Sequence, residues 1–135
     1  MADFIAIHET VEGPRVKMYN CKASSEANAG SRVEDLEVVC AQAIKSCVWI
    51  RPEQFLARLR HRVTLRSVPG YQKGNEVAAS GILAQQARQQ IQFETYIVQP
   101  GVLREGRSEA LSNLLAAARD YLVQGGVYAF GVIGS

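Results

Sequence analysis

The sequence predicts an α+β fold, an antiparallel sheet with about two main helices packed on one face. Alternating apolar residues over 3–19 and 90–98 predict strands, whereas apolar residues at helical spacing over 31–48 and 108–122 predict two amphipathic helices. The chain has 135 residues, of which 47% are hydrophobic, as in an ordinary globular protein. We therefore expect residues 1–135 to form a single domain with its own hydrophobic core.

Residues 3–19 are typical of a β-hairpin. Ile5 and Ile7 share one face of the first strand, and Glu12-Gly13-Pro14 is a turn sequence. On the return strand, Val16 and Met18 alternate with Arg15, Lys17 and Tyr19. The small and polar residues at 20–30 predict that a loop follows the hairpin.

The first predicted helix begins at Ser31. Ser31 and Glu34 have the spacing of a capping box, in which each side chain bonds the other residue's backbone N–H. The helix should end at Trp49-Ile50, before Pro52. Its apolar stripe comprises Leu36, Val39, Cys40, Ala43, Ile44, Cys47 and Val48.

The segment 56–67 is the most basic in the chain. On a strand, Arg58, Arg60, Arg62, Thr64 and Arg66 would share one face, opposite Leu59, Val63 and Leu65. Pro52 and Glu53 instead favour the start of a helix, which would place Arg58 and Arg62 one turn apart. We expect a short helix over 52–57 that passes into a strand by about residue 60. Only 62–67 has firm strand character.

The excess of positive over negative charge is confined to one stretch of the chain. The formal net charge is only +2, but residues 51–73 contain six basic residues and a single acid, Glu53. Such a local excess is typical of a face that binds a polyanion. Arginines that are solvated, or paired with acids elsewhere in the fold, would give the same pattern.

The middle of the chain contains one ambiguous segment and one clear strand. Residues 68–75 have the composition of a turn, and residues 76–88 fit either a strand or a loose helix. Residues 90–98 predict an antiparallel strand with one open polar face. Its inward residues are Ile91, Phe93, Thr95 and Ile97, and its outward residues are Gln90, Gln92, Glu94 and Tyr96.

Ser108 is the expected N-cap of the second helix, and Gly125-Gly126 is the expected stop. The tail that follows is apolar and rich in β-forming residues, so it needs a partner strand. A sheet edge in the same domain and a sheet in another subunit both satisfy this need. The apolar side of the helix comprises Leu111, Leu114, Leu115, Ala118 and Leu122.

Neither histidine has the surroundings of a catalytic or metal-binding group. His8 follows a predicted strand residue and precedes Glu9, while His61 lies among arginines. Neither is at metal-ligand spacing from another histidine or cysteine, and no phosphate-binding or dinucleotide motif is present. We predict no catalytic residue, no metal and no cofactor, and enzymatic activity has no positive support in the sequence.

The cysteines and the first residues bear on cellular location. Cys21, Cys40 and Cys47 are odd in number, and Cys40 and Cys47 are two helical turns apart, beyond disulfide reach. This favours a reducing compartment. The first residues lack the basic and long apolar regions of a signal peptide, and no apolar run is long enough for a membrane span. We expect a cytoplasmic or virion location and no membrane partner.

The candidate binding residues are cationic or able to contact bases. Cationic side chains replace counterions on phosphates, and aromatic or amide groups contact bases. These two groups would meet if strands 62–67 and 90–98 share a sheet with their polar faces on the same side. The candidates are Arg58, Arg60, Arg62, Thr64, Arg66, Gln92, Glu94 and Tyr96.

The segment from Gln90 through the loop to Leu122 resembles the C-terminal half of coat proteins of single-stranded RNA bacteriophages. The hairpin at 3–19 and the chain length are also similar to that family. The resemblance implies that Gln92, Glu94 and Tyr96 face packaged RNA and that the second helix contacts a partner subunit. The helix over 31–48 has no place in the family's pattern.

The sequence thus favours a non-enzymatic, self-assembling structural protein, like a virion coat, with a polar and basic sheet face toward RNA or another polyanion. This hypothesis predicts at least a dimer. The alternative is a small α+β ligand-binding or accessory protein that does not bind nucleic acid. Its ligand would lie between the first helix and the sheet, near Trp49, Phe55 and Phe93.

Overall fold

The computed structural model describes residues 2–23, 32–65, 70–87, 90–102 and 105–134 of the chain. Over these residues the protein has the predicted α+β fold, with four α-helices and one four-stranded sheet. Two short 3₁₀ segments, Cys47–Trp49 and Ala84–Ala87, follow the first and third helices. The elements are β1 (Phe4–Thr10), β2 (Gly13–Cys21), α1 (Val33–Ser46), α2 (Pro52–Leu65), α3 (Glu76–Leu83), β3 (Gln92–Val98), α4 (Glu109–Gln124) and β4 (Ala129–Ile133).

The sheet is mixed, with the strand order β1-β2-β3-β4. The hairpin strands β1 and β2 are antiparallel, but β3 runs parallel to both β2 and β4. The expectation of an antiparallel sheet therefore holds only for the hairpin. Each parallel pair is joined by helices, α1 to α3 in one connection and α4 in the other, as parallel pairing requires.

The predicted hairpin is confirmed. Its turn consists of Val11 and Glu12, whereas Gly13 and Pro14, which the sequence predicts in the turn, already belong to β2. The Thr10 hydroxyl donates a hydrogen bond of 2.9 Å to the carbonyl oxygen of Gly13. Gly13 has a φ of 120°, which a residue with a side chain rarely adopts. The turn chemistry therefore sets the register of β1 against β2.

The helix α1 begins one residue later than the capping box predicted. Its N-cap position is Arg32, whose side chain forms no capping hydrogen bond, whereas Ser31 lies outside the described residues. The predicted capping box thus includes a residue outside the described part of the chain, and the N-cap position of the described helix is one residue later than predicted. Glu34 and Asp35 still lie in the first turn, where acidic side chains complement the helix dipole.

The arginine segment is helical, so the predicted strand over 62–67 is wrong. The helix α2 continues to Leu65, and Arg66 lies outside the described residues. The buried residues of the helix are Phe55 and Leu59, which are four positions apart on one face. The apolar residues at helical spacing and the proline at the first helical position favour a helix. The alternation of the arginines, which favours a strand, is the weaker signal here.

The ambiguous segment 76–88 forms the helix α3 and the 3₁₀ segment that follows it. Asn75 caps α3, because its side-chain oxygen accepts a hydrogen bond of 2.9 Å from the backbone N–H of Ala78. Further along the chain, the predicted Ser108 cap of α4 is confirmed, with 3.3 Å from its hydroxyl to the N–H of Leu111. The apolar tail becomes β4 and pairs with β3 of the same chain.

The core consists of two apolar clusters between the helices and the sheet. The first cluster joins α1 and α4 to β3, with Leu36, Ile97 and Leu122 among its buried residues. The second cluster joins α2 and α3 to β2 and β3, with Phe55 and Phe93 in contact at a centroid distance of 5.5 Å. These two phenylalanines therefore belong to the packed core and do not line an open cleft.

Four polar residues are also fully buried in the interior, namely Asn20, Ser46, Thr95 and Gln99. Ser46 at the end of α1 donates a hydrogen bond of 3.1 Å to the side-chain oxygen of Asn20 on β2. Thr95 on β3 is equally buried, and its hydroxyl has no hydrogen-bond partner among the described residues. Burying a polar group without a hydrogen bond costs free energy, so the unpaired Thr95 hydroxyl lowers the stability of the interior.

Candidate functional site

One face of the sheet is covered by helices, whereas none of the described helices packs on the other. Val16, Met18, Phe93 and Ile97 lie on the covered face and belong to the two core clusters. We call the opposite side the open face, and strand alternation gives it the intervening residues. The strand register arranges them in rows, and the three rows that form the site are Phe4–Tyr19–Tyr96–Gly131, Ala6–Lys17–Glu94–Ala129 and His8–Arg15–Gln92.

The first row is aromatic on three neighbouring strands. The rings of Tyr19 and Tyr96 are stacked, with their centroids 5.2 Å apart and their planes at 19°. Phe4 is 54% exposed at the β1 end of the row. On β4, the absence of a side chain at Gly131 leaves room for Tyr96, because a Cβ atom there would lie 2.8 Å from the tyrosine ring.

The second row contains a buried carboxylate. The Glu94 side chain is only 5% exposed, and its oxygens lie 3.2 Å from Arg15 Nε and 3.8 Å from Lys17 Nζ. The Tyr96 hydroxyl donates a hydrogen bond of 2.6 Å to Glu94 Oε2. These partners balance the charge of the carboxylate, which is costly to bury without them.

Arg15 is the central residue of this polar network. Its guanidinium donates hydrogen bonds to Gln92 Oε1 at 2.9 and 3.2 Å and forms an ion pair of 2.9 Å with Glu12. It also lies 5.9 Å from the centroid of the Tyr128 ring. Lys17 is the same distance from the Tyr96 ring, so both cations contact aromatic groups.

The Tyr96 hydroxyl is held in its protonated form. The hydrogen bond to Glu94, followed by burial, raises the pKa of Tyr96 to about 12. Since this value exceeds the ordinary tyrosine pKa of about 10, the contribution to stability is fully present below pH 10. That contribution is lost as the pH rises from 10 toward 12.

Replacing Glu94 by glutamine should lower the pKa of Tyr96 toward its ordinary value, because the negative acceptor is lost. The measurement is the absorbance of tyrosine phenolate during an alkaline titration, with Tyr96→Phe identifying the late-titrating group. Glu12→Gln is the matched control, since Glu12 contacts Arg15 but not Tyr96. An unchanged late titration in Glu94→Gln would contradict the assigned hydrogen bond.

The predicted site residues do not all come together. Gln92, Glu94 and Tyr96 share the open face as expected, although Glu94 is buried rather than open. The arginines of α2 lie on the other side of the sheet, because Phe55 and Leu59 of that helix pack against the covered face. The expectation that the two groups share one polar face is therefore wrong.

The α2 side chains are engaged within the fold. Arg58 donates to the carbonyl oxygen of Val48 at 2.8 Å and lies 5.4 Å from the centroid of the Trp49 ring. Arg60 forms an ion pair of 2.6 Å with Glu76. Arg62 donates to the backbone oxygens of Ala2 and Asp3, and the Thr64 hydroxyl donates to the carbonyl oxygen of Arg60 at 3.0 Å.

Arg15, Lys17 and Tyr19 were missed as site residues although their alternation on the second hairpin strand is visible in the sequence. Their proximity to Gln92 and Tyr96 depends on the parallel pairing of β2 with β3. More than seventy residues separate these strands in the sequence, so no local pattern indicates the pairing.

Other sequence features have simple places in the fold. His8 lies on the open face of β1 opposite Arg15, and His61 is exposed on α2. Within the described ranges, no group of three or more His, Cys, Asp or Glu side chains could hold a metal ion. All three cysteines are free thiols, and burial raises the pKa of Cys40 to about 11.

None of the described helices is both long enough and apolar enough to cross a membrane. No protein-family description, curated protein or solved structure matches the chain.

Proposed function

We propose that the open face binds single-stranded RNA, and that the protein is a non-enzymatic, self-assembling structural protein of the cytoplasm or of a virion. The observation that carries this proposal is the stacked pair Tyr19 and Tyr96, which Arg15 and Lys17 border in the next rows of the sheet. A sheet that presents aromatic rings beside cations is a recurrent surface for unpaired bases.

The aromatic row supports binding through base stacking. Phe4 and Tyr128 are 54% and 59% exposed, respectively, and lie near opposite edges of the sheet. Neighbouring strands are about 4.8 Å apart, so a row across three strands spans about 10 Å. Stacking of one base on an aromatic side chain contributes about 1–3 kcal/mol.

Charge makes a smaller contribution on this face. Arg15 and Lys17 are the cations of the three rows, and Glu94 partly neutralises them from below. The α2 arginines form ion pairs and hydrogen bonds within the protein, so they are less available to phosphates. We therefore expect only about two phosphate contacts and a shallow salt dependence, with a slope of about −1.4 in log affinity against log salt.

The test is fluorescence anisotropy of a short labelled oligouridylate at increasing salt. Phe4→Leu and Tyr19→Leu should each weaken binding by about fivefold or more, because each removes a stacking surface. Arg15→Gln combined with Lys17→Gln should abolish most of the salt dependence. The matched control is Arg58→Gln combined with Arg60→Gln, which removes two charges from α2 and should leave affinity within about twofold.

Two results would contradict the proposal. One is the absence of oligouridylate binding at low salt by the folded protein. The other is loss of binding in the α2 double variant while the variants of the open face bind normally. Native mass and absorbance at 260 nm of the purified protein address self-assembly separately, and a monomer without nucleic acid would contradict that part.

A further inference from the structure

A second surface lies along the outer edge of β4, on the side of that strand that faces away from β3. The strand β4 is an edge strand, and no described strand pairs with its outer side. A groove of about 580 Å³ runs between this edge and α4. The groove is lined by apolar side chains that include Leu115, Ala116, Phe130 and Val132.

Two arginines border this apolar groove. Arg107 precedes the cap of α4 and Arg119 lies near its C-terminal end, and both side chains are exposed. Neither forms a hydrogen bond or an ion pair with the described residues, in contrast to Arg58 and Arg60 on α2. A helix rises 1.5 Å per residue, so the part of α4 from Glu109 to Arg119 is about 15 Å long, and Arg107 lies two residues before it.

This arrangement fits an extended peptide better than a compact ligand. Five residues of a strand span about 16 Å, which is also the length of β4. The edge of β4 offers main-chain groups, the apolar floor accepts alternate side chains, and the arginines bind carboxylates. RNA could also pair its phosphates with the two arginines. However, it has no alternating apolar side chains to contact the floor of the groove.

We propose that the groove binds an extended acidic segment of a partner protein, which adds a strand to β4. Acidic residues at positions i and i+4 of the segment face Arg107 and Arg119. An apolar residue at i+2 lies over Phe130 and Ala116. This site lies on the helix-covered side of the sheet, and the inference does not depend on RNA binding by the open face.

The probe is a fluorescein-labelled peptide of sequence Gly-Ser-Glu-Thr-Val-Thr-Glu-Ser-Gly, titrated with the full chain at low salt. We expect saturable binding that weakens by about tenfold in Arg107→Glu and again in Arg119→Glu. Lys73→Glu is the matched control, since it reverses a charge beside β1 at the other edge of the sheet and should leave the affinity unchanged. Circular dichroism verifies that the exposed variants remain folded.

Four outcomes would overturn the inference. The peptide does not bind, or it binds both arginine variants as tightly as it binds the original chain. An analogue with N-methyl groups on alternate residues binds equally well, which rules out strand addition. Oligouridylate displaces the peptide from the original chain but not from the Arg15 and Lys17 double variant, which would place the peptide on the open face and not in the groove. If Arg107→Glu and Arg119→Glu lose peptide binding but still bind RNA, the two sites are independent, so this inference and the proposed function can fail separately.

Discussion

Replacing Phe55 by alanine should lower the free energy of unfolding by about 3–5 kcal/mol. Phe55 has no exposed surface, and its ring contacts Phe93 edge to face in the second core cluster. The substitution removes this contact and leaves a cavity that the surrounding helix and sheet fill only partly. Urea unfolding followed by circular dichroism measures the loss.

Leu65→Ala is the matched control for Phe55→Ala on the same helix. Leu65 is 71% exposed at the end of α2, so its substitution should change stability by less than about 0.5 kcal/mol. In a strand over 62–67, Leu65 would share the buried face with Val63 and would cost far more. A loss of more than about 2 kcal/mol in Leu65→Ala would therefore contradict the helical structure of this segment.

Gly131→Ala should destabilise the protein by about 1–3 kcal/mol and weaken the RNA binding that we propose for the open face. The new Cβ atom would lie 2.8 Å from the Tyr96 ring, which is already held by Tyr19 and by the hydrogen bond to Glu94. The ring must move, and the pKa of Tyr96 should fall with it. Urea unfolding, fluorescence anisotropy of the labelled oligouridylate and the alkaline titration measure these three effects.

The same substitution at Gly81 should have the opposite sign. Gly81 lies within α3 and a Cβ atom there would meet no atom within 4 Å. Alanine is the better helix former, so Gly81→Ala should stabilise the protein by about 0.5–1 kcal/mol. Equal effects at both glycines would show that Tyr96 does not occupy the space above Gly131.

The elements that were predicted correctly carry their information locally. The hairpin has its turn residues between alternating strands, α4 has a serine cap and a glycine stop, and β3 alternates over its whole length. The segment 52–65 was misassigned in its second half because arginine alternation and apolar helical spacing coexist there. The helix is favoured because it buries Phe55 and Leu59. This burial depends on contacts with strands that are distant in the sequence.

The candidate site was predicted only in its β3 part. Gln92, Glu94 and Tyr96 point to one face because a strand alternates, which is visible in the sequence. Their neighbours Arg15 and Lys17 could not be assigned to the site, because local sequence patterns do not determine the order and direction of the strands. The sequence instead predicts the cationic part of the site in the basic stretch 56–67. In the structure, arginines of this stretch bind other parts of the same chain.

The division of the core into two clusters has a consequence for synthesis on the ribosome. The buried residues of the second cluster extend no further along the chain than Phe93, so it can assemble once β3 has emerged. The first cluster waits for α4 and Val127, although its partner α1 was made some sixty residues earlier. During that interval α1 can pack only on β2 and β3, and the part of its apolar stripe that contacts α4 stays uncovered. Apolar surface exposed in this way favours aggregation and is the kind that chaperones bind.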